Sequence, residues 1–175
     1  MLMLGRQSGR IQGYDGAADL FRRRYGIGKY VELDLFSERA SLRLDLNDDL
    51  VGLSACYGTV VNIGTLEHVW DVHRAWANSL RAVRVGGHFV TFSPVVGFDG
   101  HGIHVTGAEW IRAFVSPNGF SIVDEWKENK PNGRFKIPKE RTALWLAAQK
   151  IRHVGSLDAF VKPQQIYKKG STPWE

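Results

Sequence analysis

With 175 residues, 43% of them hydrophobic, the chain suits one domain with a full apolar core and is too short for two ordinary ones. Its formal charge of +5 and pI of about 9.5 favour an anionic ligand, but the basic residues are dispersed among acidic ones. No apolar run approaches bilayer length, and Met1 to Leu4 is cut off by Gly5 and Arg6, so neither a membrane span nor a secretion signal is expected and a cytoplasmic location follows. The single cysteine, Cys56, cannot close an internal disulfide and is expected as a small core residue. No Cys/His spacing resembles a zinc site, so no metal is expected; no RNA- or DNA-binding signature is present, so nucleic acid is not an expected partner.

In chain order, residues 1–4 read as a strand followed by a turn carrying Gly5 and Gly9. Residues 17–25 are apolar at Ala17, Leu20, Phe21 and Tyr25, the spacing of a helix, which Gly26 and Gly28 stop. Strands are expected at 30–35, 42–46, 59–63 and 88–93. A helix over 69–83 is apolar at Val69, Val72, Trp76, Leu80 and Val83 and is stopped by Gly86-Gly87. A further helix at 107–115 buries Trp110, Ile111 and Phe114. Residues 120–126 and 142–150 are strands joined by a polar loop with Pro131, Asn132-Gly133 and Pro138, hence antiparallel. Beyond Ile151 the pattern decays into a polar tail, 151–175, expected to pack loosely or meet a partner. Trp70, Trp76, Trp110 and Trp145 sit at core-compatible spacings, His88 reads as a strand histidine, and His73 and His153 as surface residues.

Alternating strands and helices predict an open, mostly parallel α/β sheet of seven strands with helices on both faces and an antiparallel hairpin at its end. In such a sheet ligands bind at the carboxyl ends of the strands. The turn Asn62-Ile63-Gly64-Thr65-Leu66-Glu67-His68-Val69 lies at one such end. Asp34 closes the second strand, where a carboxylate can accept hydrogen bonds from both hydroxyls of a ribose or simply cap a turn; Glu32, alternating with it, is the other candidate for that role. Asp45, Leu46 and Asn47 follow the third strand. Glu67 and His68 either cap the helix after them or handle a proton, since an imidazole titrates near neutrality. His101 and His104 belong to a glycine-rich loop over the same edge, where His101 suits acceptor contact or general-base work.

The Glu-His turn, with Val85-Gly-Gly-His-Phe-Val90 and Asn118-Gly-Phe-Ser-Ile-Val123, resembles the class I S-adenosylmethionine-dependent methyltransferases over residues 1 to about 150. A closer resemblance is to uncharacterised bacterial methyltransferase-like proteins with a Leu-Gly-Arg-Gln start, a Gly-Thr-Leu-Glu-His turn and a Gly-His-Gly loop, here Leu4 to Gln7, Gly64 to His68 and Gly100 to Gly102. The resemblance implies a Rossmann-like three-layer α/β/α domain, 1–150, with S-adenosylmethionine as cofactor. Gly5, Gln7, Gly9, Asp34, Asp45, Leu46, Asn62 and Gly64 would hold it, and Glu67, His68 and His101 would face a small-molecule or sugar acceptor methylated on oxygen or nitrogen. The chain departs from the family's pattern in having Gln7 at the middle glycine of the cofactor loop and Met3 at a usually acidic position. The family normally has a helix before the first strand, here placed at Met1; without that cover an apolar surface is expected for the 151–175 tail, a second copy or another subunit to fill. These departures support the alternative of an inactive methyltransferase-like subunit that binds a partner or regulates one.

Overall fold

The computed structural model describes residues 1–7, 10–11, 13–130, 141–154 and 160. Along the chain run β1 (Leu2–Leu4), β2 (Arg10–Ile11), β3 (Tyr14–Asp15), α1 (Gly16–Tyr25), β4 (Val31–Leu33), β5 (Tyr57–Ile63), α2 (Val72–Ala82), β6 (Val83–Val96), α3 (Ala108–Val115), β7 (Phe120–Lys130) and β8 (Arg141–Lys150). Six strands form one sheet in the order β4-β1-β5-β6-β8-β7, while β2 and β3 make a separate two-stranded ribbon. The pairings from β4 to β6 are parallel, and β8 joins β6 and β7 antiparallel, which is the expected terminal hairpin.

β1 is apolar throughout because it is covered on both faces, as the inner strand of a parallel sheet must be. Leu2 and Leu4 enter the larger core, with Trp76 of α2 and Phe114 of α3, while Met3 joins Ala17, Tyr30 and Val61 under α1. The helices thus lie on opposite faces, giving three α/β/α layers. On the larger side Trp76 sits edge-on to Phe89, Trp110 and Phe114, a geometry in which ring edges meet ring faces. Val154 and Phe160, beyond the last strand, are buried in this same core.

The sheet has six strands rather than seven because residues 42–46 form only one bridge, Leu33 to Leu42. Their apolar alternation is real: Leu42 and Leu44 pack against the core and Leu46 is buried. Asp45 then turns the backbone by accepting from Asn47 N–H at 2.8 Å, and the Asn78 side chain of α2 takes the carbonyls of Leu46 and Asp48. The second helix begins at Val72 rather than 69, since Asp71 caps it by accepting from Arg74 N–H at 3.0 Å. It ends at Ala82, four residues before Gly86-Gly87, which instead lie in the irregular start of β6. Cys56 is exposed rather than a core residue, and Trp70 is 77% exposed, so neither packs as its spacing suggested. The hairpin loop 131–140 and most of the 151–175 tail lie outside the described residues. Among the described residues no helix is long and apolar enough to cross a membrane.

One buried cation ties helix to hairpin. Lys150, 1% exposed at the end of β8, donates from Nζ to the carbonyls of Leu80, Arg81 and Val83 at 3.1, 3.3 and 2.6 Å. These carbonyls stand where α2 runs out; those of Leu80 and Arg81 also accept the N–H groups of Val83 and Ala55, so Nζ takes their second acceptor positions. Burial pulls the Lys150 pKa down from 10.5 to about 8. Between those values the unfolded chain binds the proton and the folded one sheds it, so stability rises with pH. Urea unfolding should show wild type gaining roughly 1–2 kcal/mol over Lys150→Met from about pH 7.5 to about pH 9.5. A difference that stays flat or falls contradicts this.

Candidate functional site

At the carboxyl ends of β1, β4 and β5 lies a cavity of about 340 Å³. The register sets its walls: Leu4 pairs with Leu33 on one side and Asn62 on the other, so the residues following all three strands converge. Gly5 forms the floor. Its N–H donates to the Leu33 carbonyl at 2.8 Å, its φ is +71°, and a Cβ there would lie 2.3 Å from Oγ1 of Thr65. That hydroxyl in turn donates to the Leu4 carbonyl at 2.9 Å, so only glycine fits the corner.

Asp34 lines the cavity and already accepts three backbone N–H groups: Arg6 on Oδ2 at 2.9 Å, and Phe36 and Ser37 on Oδ1 at 2.9 and 2.8 Å. Burial alone would push its carboxyl up, but these donors and the nearby Arg6 guanidinium outweigh it and hold the pKa below the usual value. A carboxylate offers about four acceptor positions, so Asp34 has one left on Oδ2, enough for one ribose hydroxyl rather than two. Glu32, the alternative, is buried elsewhere: it pairs with the Arg6 guanidinium at 2.8 Å, accepts from Tyr30 Oη at 3.4 Å, and lines a smaller cavity of about 180 Å³.

Gln7 forms part of the wall, its Nε2 donating to the Ile63 carbonyl at 2.9 Å. Asp45, Leu46 and Gly64 also line the cavity, with Asp45 Oδ1 accepting from both the backbone and the side chain of Asn47. Asn62 does not reach it. Fully buried, it donates to Oγ1 of Thr91 at 2.8 Å and accepts the N–H groups of Thr65 and Leu66, bracing the turn from below. Gly9 lies outside the described residues. Phe36 was not singled out from the sequence, yet it lines the cavity with 87% of its surface exposed. The only hint was its place two residues after Asp34.

Glu67 and His68 occupy a 3₁₀ turn, Leu66–His68, that ends before α2 begins. With Asp71 as the cap of α2, neither is spent on capping it. The Glu67 side chain is 4% exposed, and among the described residues no other residue hydrogen-bonds to either carboxylate oxygen. Burial pushes its pKa up, and its own backbone N–H and then the charge of His101 pull it part of the way back. Nε2 of His68 lies 3.9 Å and Nε2 of His101 lies 3.7 Å from Oε1 of Glu67, with the two rings edge to face, 5.2 Å between centroids. His68 also lines the main cavity, so this group borders it. His104 is turned elsewhere, Nε2 standing 2.9 Å from the Trp70 carbonyl.

Neither a scan of protein-family models nor a search of curated proteins finds a match. Solved structures do match. A candidate methyltransferase from Bacillus halodurans has 12% identity over 86% of this chain and 92% of its own, with a TM-score of 0.60. A SAM-dependent methyltransferase from Methanosarcina mazei has 12% identity over 86% of this chain and 91% of its own, at 0.59. The 1,6-didemethyltoxoflavin-N1-methyltransferase of Burkholderia thailandensis, solved with 1,6-didemethyltoxoflavin and S-adenosylhomocysteine, has 13% identity over 86% of this chain and 71% of its own, at 0.57. At these identities the likeness is one of fold: the chain has the Rossmann-like architecture these methyltransferases share.

Gly5→Ala should cost roughly 2–4 kcal/mol of stability, combining left-handed strain with overpacking. Thr65→Ala removes the clashing hydroxyl and should recover part of that loss. A double-mutant cycle by thermal unfolding reads the coupling, and strictly additive losses would refute the contact.

Proposed function

We propose that the chain is an S-adenosylmethionine-dependent methyltransferase acting on oxygen or nitrogen of a small molecule or sugar. The observation that carries this is the cavity itself: Gly5, Gln7, Asp34, Asp45 and Gly64 meet around it at the carboxyl edge of a methyltransferase-type sheet. Its volume falls at the lower end of the range of small-ligand sites. The residues present fit a nucleoside. Asp34 Oδ2 keeps one acceptor position for a ribose hydroxyl, and the exposed ring of Phe36 offers a base an apolar face.

S-adenosylmethionine supplies an electrophilic methyl group on a sulfonium. The chain's own part is then to align an acceptor with it and to remove the acceptor's proton. Glu67 suits the second task as a carboxylate beside the cavity whose pKa burial raises above the usual value. His68 borders both the cavity and Glu67, and His101 closes the group from the following loop. These three would orient the acceptor and hold its proton.

A non-catalytic partner-binding role has one observation in its favour. The Gln7 side chain lines the cavity, where the family that the chain resembles carries a glycine, and its amide is fixed to the Ile63 carbonyl. A subunit of this kind would co-purify with a stoichiometric protein partner and ignore the cofactor.

Calorimetric titration separates the two. S-adenosylmethionine should bind one-to-one, with affinity at least tenfold weaker in Asp34→Ala. Phe36→Ala, which leaves the core untouched, should weaken it roughly 5- to 100-fold if the ring stacks on the base. Absence of binding to folded wild-type protein would overturn the enzyme proposal.

A further inference from the structure

A buried carboxylate with no hydrogen-bond partner is costly, and folded proteins satisfy such groups with a donor or a cation. Glu67 has no donor from another residue among those described, only its own backbone N–H nearby. Nε2 of His68 and of His101 stand 3.7–3.9 Å from the same oxygen, too far for hydrogen bonds. The donor atoms of all three residues lie within 4.8 Å of one another. Two imidazoles turned toward one buried carboxylate oxygen, with a gap between them, is the arrangement of ligands around an ion. At metal–ligand bonds of about 2.0–2.2 Å, donors around one ion sit about 3.0–3.5 Å apart. The two Glu67–histidine distances exceed that range by less than about 1 Å, and both rings are half-exposed.

The backbone is built to hold this group together. Ile103 and His104 donate their N–H groups to the Glu67 carbonyl at 2.9 and 3.0 Å, pinning the His101 loop onto the Glu67 turn. Gly102 makes the approach possible: a Cβ there would meet the Glu67 carbonyl oxygen at 2.8 Å and its Cγ at 3.0 Å. His101 is therefore placed by backbone hydrogen bonds, independently of any attraction between its ring and the carboxylate.

We infer that Glu67, His68 and His101 form a binding site for a divalent transition-metal ion, bordering the main cavity. Two imidazoles and one carboxylate select ions such as Zn²⁺, Co²⁺ or Mn²⁺ over Mg²⁺ and Ca²⁺, which prefer all-oxygen ligands. Three protein ligands leave coordination positions for water or an acceptor oxygen on the side of His68 that faces the cavity. The site stands without the cofactor proposal, and with an ion bound Glu67 would be a ligand in place of the proton-holding role given to it above.

Cobalt titration of the chelator-treated full chain, followed by visible absorption, tests the inference without reference to activity. One Co²⁺ per chain should bind, Zn²⁺ should displace it, and millimolar Mg²⁺ should not. His101→Ala and Glu67→Gln should each weaken binding at least tenfold, whereas His153→Ala, at an exposed histidine remote in sequence, should not. Circular dichroism checks that Glu67→Gln is folded; should it unfold, His101→Ala and a His68→Ala/His101→Ala double variant carry the comparison. Equal Co²⁺ binding by wild type and the double variant, or no spectral change in wild type, overturns the metal site. S-adenosylmethionine titration of the same samples reports separately on the cavity, so either proposal can fail alone.

Discussion

The contact between Gly5 and Thr65 is the constraint on which the rest of the cavity edge depends. A strand buried on both faces ends at Leu4, and the chain must turn at once without lifting from the sheet. Gly5 does so in a left-handed conformation, pressed against a threonine hydroxyl that itself holds the Leu4 carbonyl. Asn62 fixes the opposite side by gathering the N–H groups of Thr65 and Leu66 onto one buried oxygen. The ends of two strands are thereby locked at a separation that hydrogen-bonding sets, and the cavity is the space left over.

Two carboxylates on this edge show opposite solutions to burial. Asp34 is surrounded by N–H groups and keeps its charge at little cost, which makes it a rigid acceptor with one position to spare. Glu67 is buried more deeply and has none from another described residue. The first is a fixed element of the scaffold that can also contact a ligand. The second is left short of donors in a way that a proton or a cation would relieve, and such groups concentrate where chemistry is done.

Much of this was legible in the sequence because buried parallel strands and amphipathic helices leave strong patterns. The apolar run of β1, the period of α2 and the hairpin strands all form, with α2 starting at Val72 and the first hairpin strand running on to Lys130. Residues 42–46 misled because alternation reports which side chains are buried, and not whether the backbone finds a ladder; Asn78, distant in sequence, took the carbonyls instead. Trp70 and Cys56 were misjudged for a different reason, since residue type alone does not fix burial. At the site, the Glu-His turn and the Gly-His-Gly loop pointed to one edge. The bond from Gln7 to Ile63, the buried bracing role of Asn62 and the exposure of Phe36 depend on side-chain direction, which spacing does not encode.

Asn78 has a consequence for how such a protein changes over generations. The irregular stretch between β4 and β5 supplies one whole wall of the cavity, through Asp34, Phe36, Asp45 and Leu46. Part of it hangs from a single α2 amide, which accepts from Leu50 N–H and donates to two of its carbonyls. Because that suspension uses main-chain atoms of the stretch, its exposed side chains, Phe36 among them, are free to be exchanged while the helix and sheet stay as they are. Descendants of one scaffold can therefore acquire new ligand preferences by drift in this segment alone, with little penalty to folding.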